Sequence, residues 1–266
     1  MTDDVLLDVR HVRQVYSSQA GPVTALDDID LTVRRGEFVA VCGPSGCGKT
    51  TLLEILSGLR TPTQGEVRLG GERVIGPSRE IGIVFQEDST FPWRTVESNV
   101  GFGLEVMGEP RRVRDERVAE LIRTVGLQGF ESAYPAQLSG GMRQRVSIAR
   151  GLAPRPSIMV MDEPFGALDE QTRLLLGGEL LRIVDETQAT VVLVTHSIQE
   201  AALLADRIVV LSARPARVHT VIRNPLPRPR TPSLLATAEF AEVSREIWAS
   251  LEEQAQLAYD LGSGAA

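Results

Sequence analysis

The sequence predicts an α/β fold with a mostly parallel sheet, a small antiparallel sheet and a helical insertion. Short β-branched runs recur along the 266 residues, and helical periods lie between several of them. One of these runs leads directly into a glycine-rich loop. A third observation is that the segment from about Pro92 to Ala153 contains no convincing strand.

The strands of the parallel sheet are expected at residues 37–42, 81–85, 157–161, 190–195 and 207–211. Helices are expected after the glycine loop from Lys49 to Ser57, and then at 174–187 and 198–205. The opening 35 residues and Gly65–Val74 alternate in polarity between turn signals, which suits a small antiparallel sheet. Within the insertion, helices are expected at Val96–Val106, Arg112–Val125 and Gly141–Ala153.

A proline-rich strap begins after Arg223 and precedes a last helix near Ala238–Tyr259. We therefore predict three parts of the chain. They are an α/β core with its β subdomain at 1–91 and 154–222, a helical subdomain at 92–153, and the strap and helix at 223–266.

Composition excludes several classes of protein. The net charge is −7 and no basic block exceeds Arg111-Arg112, so no nucleic-acid partner is expected. The amino terminus is acidic and lacks the apolar segment of a signal peptide. All apolar stretches are far shorter than the roughly 20 residues that span a bilayer. Cys42 and Cys47 are expected to be space-filling residues in a reducing compartment.

The most informative residue is Lys49, because it is the only lysine among 28 basic residues. It lies in Gly43-Pro-Ser-Gly-Cys-Gly-Lys-Thr-Thr51, which has the spacing of a phosphate loop. A flexible ammonium can curl over such a loop and reach the β- and γ-phosphates, whereas a planar guanidinium fits poorly. An apolar strand precedes the loop and a helix follows it, so the sequence predicts binding of a nucleoside triphosphate.

Leu138-Ser-Gly-Gly-Met-Arg-Gln-Arg145 predicts a second anion site. Ser139 and the two glycines open an amphipathic helix, where free N–H groups and the positive helix end attract anions. Simple capping of the helix by Ser139 is the alternative.

Paired carboxylates follow the apolar run 157–161. Asp162 is placed to hold Mg²⁺ through water, and Glu163 to orient or deprotonate an attacking water, although two acids can also simply open a solvated loop. Gln86 and His196 each follow a predicted strand. The amide of Gln86 could touch both Mg²⁺ and water there. A lone histidine there is more often structural, so both residues gain weight only from their order among the other motifs.

That order resembles the ATP-binding subunit of ABC transporters over nearly the whole chain to about Val221. The resemblance implies a P-loop NTPase (RecA-like) core with a small antiparallel β subdomain and an inserted helical subdomain. It also implies that ATP and Mg²⁺ are bound. Tyr16 looks like the aromatic residue on which adenine stacks, and Ala167-Leu-Asp169 is similar to the D-loop.

The remaining residues match the family position by position, with no departure. The phosphates are wrapped by Ser45 to Thr51, with Lys49 on the β/γ-phosphates. The predicted cofactor-binding residues are Tyr16, Gly43, Ser45, Gly46, Gly48, Lys49, Thr50, Thr51, Ser139 and Gly141. Thr50, Gln86 and Asp162 are the predicted Mg²⁺ ligands. The catalytic residues are Glu163 as base, His196 as the switch histidine on the γ-phosphate, Gln86 and Lys49.

In that family the Ser-Gly-Gly segment completes the ATP site of the opposite subunit, so the resemblance implies a homodimer with two shared sites. It further implies separate transmembrane permease subunits, a solute-binding protein, and a peripheral position at the cytoplasmic face of the membrane. No regulatory domain is expected after Arg223.

Two segments are similar to the nitrate, sulfonate and taurine importer group: Phe91-Pro-Trp93 and Ser212-Ala-Arg-Pro215. Phe91-Pro-Trp93 is expected either to pack locally or to form the floor of a groove for a permease helix, and both can hold. The expected solute is an oxyanion or sulfonate-type compound.

Two other classes of protein share parts of this pattern. A soluble ABC ATPase of the iron–sulfur assembly type fits the length, but these two segments argue against it. Repair ATPases insert long coiled coils and translation factors carry two ATPase domains in one chain, so neither fits 266 residues with one phosphate loop. A small-molecule kinase leaves Leu138–Gly141 without a purpose.

Overall fold

The computed structural model describes residues 4–19, 21–86, 89–166 and 168–263. Its contacts divide the chain into two compact units, the first made of residues 1–78 and 190–266 and the second of residues 79–189. These units follow contact density and not function, so the three-part division at 91, 153 and 222 stays a prediction.

The first unit contains the small antiparallel sheet that the sequence predicts. Its four strands, in the spatial order β2-β1-β4-β5, are β1 (Val5–Ser18), β2 (Gly21–Arg34), β4 (Gln64–Leu69) and β5 (Glu72–Arg73). The pairing of β1 with β2 shifts register near His11, whose φ is 47°, and Asp28, whose φ is 57°. Such bulges bend a strand and redirect its side chains.

The first unit also holds a mostly parallel group of strands in the order β10-β9-β3-β8. They are β3 (Phe38–Cys42), β8 (Thr190–Val194), β9 (Arg207–Leu211) and β10 (Val218–Arg223). β3 lies between β8 and β9 and is parallel to both, while β10 runs antiparallel to β9. Every residue of β3 and β8 is buried, as expected for strands covered on both sides.

Three helices complete this unit: α1 (Lys49–Leu56), α7 (Ile198–Leu204) and α8 (Ala238–Ser263). A 3₁₀ turn at Pro232–Ala236 precedes α8. Both α8 and this turn pack against α7, and α8 also contacts β9 and β10.

The second unit is mainly helical and contains the parallel pair β6 (Ile81–Val84) and β7 (Ile158–Asp162). Its helices are α2 (Val96–Val100), α3 (Phe102–Val106), α4 (Arg111–Thr124), α5 (Gly140–Leu152) and α6 (Glu170–Thr187). A 3₁₀ turn at Pro135–Gln137 precedes α5.

One predicted element was wrong and one strand was not predicted. The helix predicted over Val96–Val106 is two short helices that meet at Gly101. A side chain there would crowd Val118 at 3.1 Å, so a close approach of α4 explains the glycine. The sequence analysis also missed β10, which forms only by pairing with β9. No helix of the described residues is both long and apolar enough to cross a bilayer.

Candidate nucleotide-binding site

The phosphate loop of the first unit connects β3 to α1. Gly48 stands at the amino end of α1 with a φ of 129°, and no side chain caps that end. A Cβ at Gly48 would lie 2.9 Å from Leu26 and 3.1 Å from the Ala25 carbonyl oxygen, so only glycine fits. The backbone N–H groups of the first turn therefore remain available to an anion.

Lys49 folds back over its own loop. Its Nζ donates to the carbonyl oxygens of Gly43, at 2.9 Å, and Pro44, at 3.0 Å, and the residue is only 8% exposed. Ser45, Gly46 and Thr50 are exposed around it. Two backbone carbonyl oxygens thus hold the one ammonium group of the loop in place beside the free N–H groups of α1.

The two cysteines behave as space-filling residues. Both are free and almost fully buried. Burial raises the pKa of the Cys42 thiol to about 12, against the opposing effect of Lys49. A protonated, inaccessible thiol is unreactive.

Tyr16 of β1 contacts α1. Its hydroxyl lies 3.1 Å from Thr51 Oγ1, and the guanidinium group of Arg60 lies over its ring, 5.0 Å from the centroid. The structure therefore brings together two of the predicted nucleotide-binding residues, Tyr16 and Thr51. The contribution of Arg60 was missed, since a single arginine after a helix carries no sequence signal.

His196 follows β8, the parallel neighbour of β3, so it lies at the same carboxyl edge as the phosphate loop. His196 is exposed, and hydrogen bonds between the residues on either side of it fix the turn from β8 to α7. Thr195 donates to the buried carboxylate of Glu200 at 2.5 Å and accepts from Ser197 N at 3.0 Å. The Ser197 hydroxyl in turn caps α7 by accepting from Glu200 N.

Arg214 is a second contact that the sequence analysis did not anticipate. Its Nη2 donates to the carbonyl oxygen of Gly46 at 2.7 Å. A cavity of about 500 Å³ between this arginine and the phosphate loop is lined by Pro44, Ser45, Gly46, Cys47, Ala213, Arg214 and Ala258. The Ser212–Pro215 segment thus supports the phosphate loop through the hydrogen bond of Arg214.

The second unit brings together Gln86 and Glu163. These residues follow the parallel strands β6 and β7, and Gln86 Nε2 donates to Glu163 Oε2 at 3.3 Å. Asp162 ends β7 and is 8% exposed. Glu163 has a φ of 42°, a conformation that costs a non-glycine residue about 1–3 kcal/mol and often marks functional positions.

Ser139 and Gly141 stand at the amino end of α5. The Ser139 hydroxyl caps the helix by accepting from Met142 N at 3.3 Å, while the residue remains exposed. Gly141 is buried, and a Cβ there would lie 3.3 Å from both Leu176 and Thr172 of α6. Capping by Ser139, the alternative reading, is therefore present in the structure and compatible with an anion site.

The segment predicted to resemble a D-loop is described in part, because Ala167 lies outside the described residues. Asp169 caps α6 by accepting from Thr172 N at 3.0 Å and from Thr172 Oγ1 at 2.7 Å. These hydrogen bonds lower the pKa of Asp169.

A mixed α/β fold, a phosphate loop between β3 and α1, and a carboxylate pair at the end of β7 define a nucleotide-binding protein of the phosphate-loop class. The family model described as ABC transporter matches residues 26–166. The chain belongs to the ABC transporter family, as an ATP-binding protein with ATPase activity.

Curated relatives match almost the full chain. An uncharacterized ABC transporter ATP-binding protein of Methanocaldococcus jannaschii is 50% identical, over 94% of this chain and 92% of its own. The aliphatic sulfonates import ATP-binding protein SsuB of Bacillus cereus is 43% identical, over 92% of this chain and 96% of its own. The predicted resemblance to sulfonate importers is therefore confirmed.

A solved structure confirms the fold class. It is an ATP-binding cassette in a dimeric post-hydrolysis state bound to ADP and Pi. The two chains superpose with a TM-score of 0.71 at 33% sequence identity, covering 82% of this chain and 98% of the cassette.

Proposed function

We propose that this chain is the ATP-hydrolysing subunit of a membrane importer for a small oxyanion or sulfonate-type solute. The observation that carries the proposal is its identity of 43% to 46% with aliphatic sulfonates import proteins over 84% to 92% of its length. The solute itself is chosen by other polypeptides in such assemblies, so the solute class rests on these relatives alone.

The first unit supplies groups for ATP binding. In the proposed complex Tyr16 stacks on adenine and the backbone from Gly43 to Thr51 wraps the phosphates. The ammonium group of Lys49 exchanges its two carbonyl partners for oxygens of the β- and γ-phosphates. His196 contacts the γ-phosphate from the adjacent strand end.

Hydrolysis is proposed to use Glu163 as general base. Its carboxylate takes a proton from a water molecule while the water oxygen attacks the γ-phosphorus. The bond from that phosphorus to the β,γ-bridging oxygen breaks, and its electron pair leaves with ADP. The hydrogen bond from Gln86 Nε2 supports this role because it orients the Glu163 carboxylate.

The predicted Mg²⁺ ligands fit the ion by their chemistry. Thr50, Gln86 and Asp162 offer hydroxyl, amide and carboxylate oxygens, the hard donors that Mg²⁺ prefers. Since the amide nitrogen of Gln86 donates a hydrogen bond to Glu163, the amide oxygen of Gln86 is the atom that can bind a metal. When bound, Mg²⁺ would neutralise charge that develops on the phosphates.

A homodimer is proposed to complete each ATP site. In it, Ser139 and Gly141 of one protomer bind the γ-phosphate of the ATP held by its partner. Two properties of α5 support this role, namely the exposure of its capping serine and its glycine-rich first turn. The relatives solved as dimeric cassettes agree with the proposal.

The Phe91-Pro-Trp93 segment is proposed to dock the permease. Phe91 packs locally, with its ring 4.6 Å from Phe102 and beneath the guanidinium group of Arg150. Trp93 extends from this cluster and is 72% exposed. The segment thus combines local packing by Phe91 with an exposed aromatic side chain at Trp93. A tryptophan that becomes buried when a partner binds contributes strongly to affinity. Docking there places the chain at the cytoplasmic face of the membrane.

The test is a mild-detergent pull-down of the tagged chain from membranes of its own host, followed by mass spectrometry. We expect a polytopic permease, with or without a solute-binding protein. The Trp93→Ala variant should no longer recover the permease in the pull-down, while the variant retains its ATPase activity in solution. Trp248→Ala is the matched control, because Trp248 is also exposed, at 56%, but lies on α8.

Recovery of soluble scaffold proteins alone would contradict the importer proposal and favour an ATPase of the iron–sulfur assembly type. Equal loss of the permease in both tryptophan variants would contradict the docking role of Trp93.

A further inference from the structure

Tyr16 and three residues around it, Thr51, Glu54 and Arg60, form a circuit of contacts that helix α1 closes. Helix α1 presents Thr51 and Glu54 three residues apart, and this spacing places both on one helix face. Thr51 shares a hydrogen bond of 3.1 Å with the Tyr16 hydroxyl. Glu54 accepts from Arg60 Nε at 2.6 Å, and the Arg60 guanidinium group covers the Tyr16 ring.

The turn after α1 sets the position of Arg60. Gly58 has a φ of 74°, and a Cβ there would lie 2.2 Å from the carbonyl oxygen of Gly76. No other residue fits that turn. Arg60 N then donates to the Glu54 carbonyl oxygen at 3.1 Å, so backbone and side chain both tie Arg60 to Glu54.

We propose that Arg60 is a positioning residue for base recognition: held by Glu54, it backs one face of the Tyr16 ring and presents the opposite face to adenine. This inference rests on the proposed stacking role of Tyr16. Arg60 acts through the tyrosine and does not itself contact the nucleotide.

Contacts that hold the Tyr16 ring in place before the nucleotide binds should raise the affinity for ATP. A free tyrosine side chain must give up rotamer freedom when a base stacks on it, and a ring already held in place loses less. Arg60 fixes the plane of the ring by a cation–π contact, and Thr51 fixes its hydroxyl end. Because Thr51 and Glu54 belong to the helix that follows the phosphate loop, this circuit also sets the distance between the base and the phosphates.

If the Arg60–Glu54 pair had a purely structural role, removing the arginine would destabilise the fold. The two side chains are 36% and 32% exposed, and ion pairs this accessible contribute little to stability. Removing the arginine should therefore leave the fold intact. The base-binding role predicts a loss confined to ligands that carry a base.

The experiment is calorimetric titration of the full chain with a non-hydrolysable ATP analogue and, separately, with inorganic triphosphate, which lacks a base. Arg60→Met should weaken binding of the analogue by about threefold to tenfold, in line with the loss of a cation–π contact. Its affinity for triphosphate should be unchanged. Arg60→Lys should restore part of the loss.

Two further variants complete the design. Tyr16→Ala reports on the stacking role itself, and the double variant with Arg60→Met should bind no more weakly than Tyr16→Ala alone. Arg68→Met is the matched control, since Arg68 also pairs with a nearby glutamate, Glu66, at 2.7 Å and is 39% exposed.

Each outcome is decisive. Unchanged affinity in Arg60→Met, beside a loss in Tyr16→Ala, overturns the positioning role and leaves the stacking role standing. Equal loss of analogue and triphosphate makes Arg60 merely structural. An additive loss in the double variant shows direct contact with the nucleotide, which also overturns the proposal. If Tyr16→Ala binds the analogue normally, the stacking role fails together with the inference.

Discussion

The amino ends of α1 and α5 are built differently, although the sequence predicts an anion site at each. The end of α1 has no side-chain cap, and its first residue, Lys49, is buried against the loop. The end of α5 is capped by the hydroxyl of Ser139, and its first turn contains no acidic residue.

This difference indicates what each end can do alone. The α1 end combines free backbone N–H groups, the helix dipole and a cation, so it can hold a phosphate by itself. At the α5 end one N–H group already donates to the Ser139 hydroxyl, and the guanidinium group of Arg143 donates to the carbonyl oxygen of Leu138 at 2.7 Å. We therefore expect α5 to act on a phosphate that is already held elsewhere.

Replacing the proposed general base should separate hydrolysis from nucleotide binding, and we expect this substitution to have the largest effect. Glu163→Gln should lower ATP turnover by about 10²–10⁴-fold, the typical contribution of a general base, while the site retains ATP and the closed dimer becomes more stable. Steady-state ATPase assays and size-exclusion chromatography with ATP measure the two results. Rapid hydrolysis by this variant would remove Glu163 from the base role.

One substitution at each helix end tests this difference in function directly. Lys49→Ala should weaken ATP binding to the isolated subunit by about tenfold to a hundredfold, since it removes charge-assisted hydrogen bonds. Ser139→Arg should abolish hydrolysis yet leave that binding unchanged. Fluorescence titration with a labelled nucleotide distinguishes them. Loss of binding in Ser139→Arg would mean that the α5 end belongs to the same subunit's site.

Arg214 supports the phosphate loop before α1, because it donates to the carbonyl oxygen of Gly46. Arg214→Ala should weaken ATP binding by about twofold to fivefold, the range of one partly exposed hydrogen bond. Arg217→Ala serves as the control, since Arg217 pairs with Asp27 instead. Equal effects of both substitutions in the same titration would assign the loss to general charge.

The smallest expected effect concerns the bulge of β1, remote from either helix end in sequence. The hydrogen bond from His11 to Asp28, with Asp30 nearby, raises the pKa of His11 above its ordinary value of 6.5. The protonated histidine therefore stabilises the fold below about pH 6.5, and this contribution is lost as pH rises through the raised pKa.

Thermal unfolding of the chain and of His11→Asn across pH tests this expectation. The difference in midpoint should be small, present near pH 6 and absent near pH 9. Asp28→Asn should remove most of the same dependence. A difference that grows toward alkaline pH would contradict the assigned sign.

Prediction from sequence worked best where local pattern and burial agree. β9 has the predicted bounds of Arg207–Leu211, and β3, β6, β7 and β8 each begin or end within a residue of theirs. It failed at Gly101, where the approach of another helix divides α2 from α3, and at β10, whose strand depends on its partner β9. Both failures involve a contact between two different elements, which the pattern within one segment does not record.

Sequence alone determined the phosphate loop, the order of the chemical motifs and the family of this protein. These features depend on residue types at short spacings, where local geometry leaves few alternatives. Only the tertiary structure decided that Arg60 backs Tyr16, that Arg214 holds Gly46, and that Gln86 reaches Glu163. Each of these contacts joins residues that the fold brings together from separate turns and strand ends, so no local pattern records it.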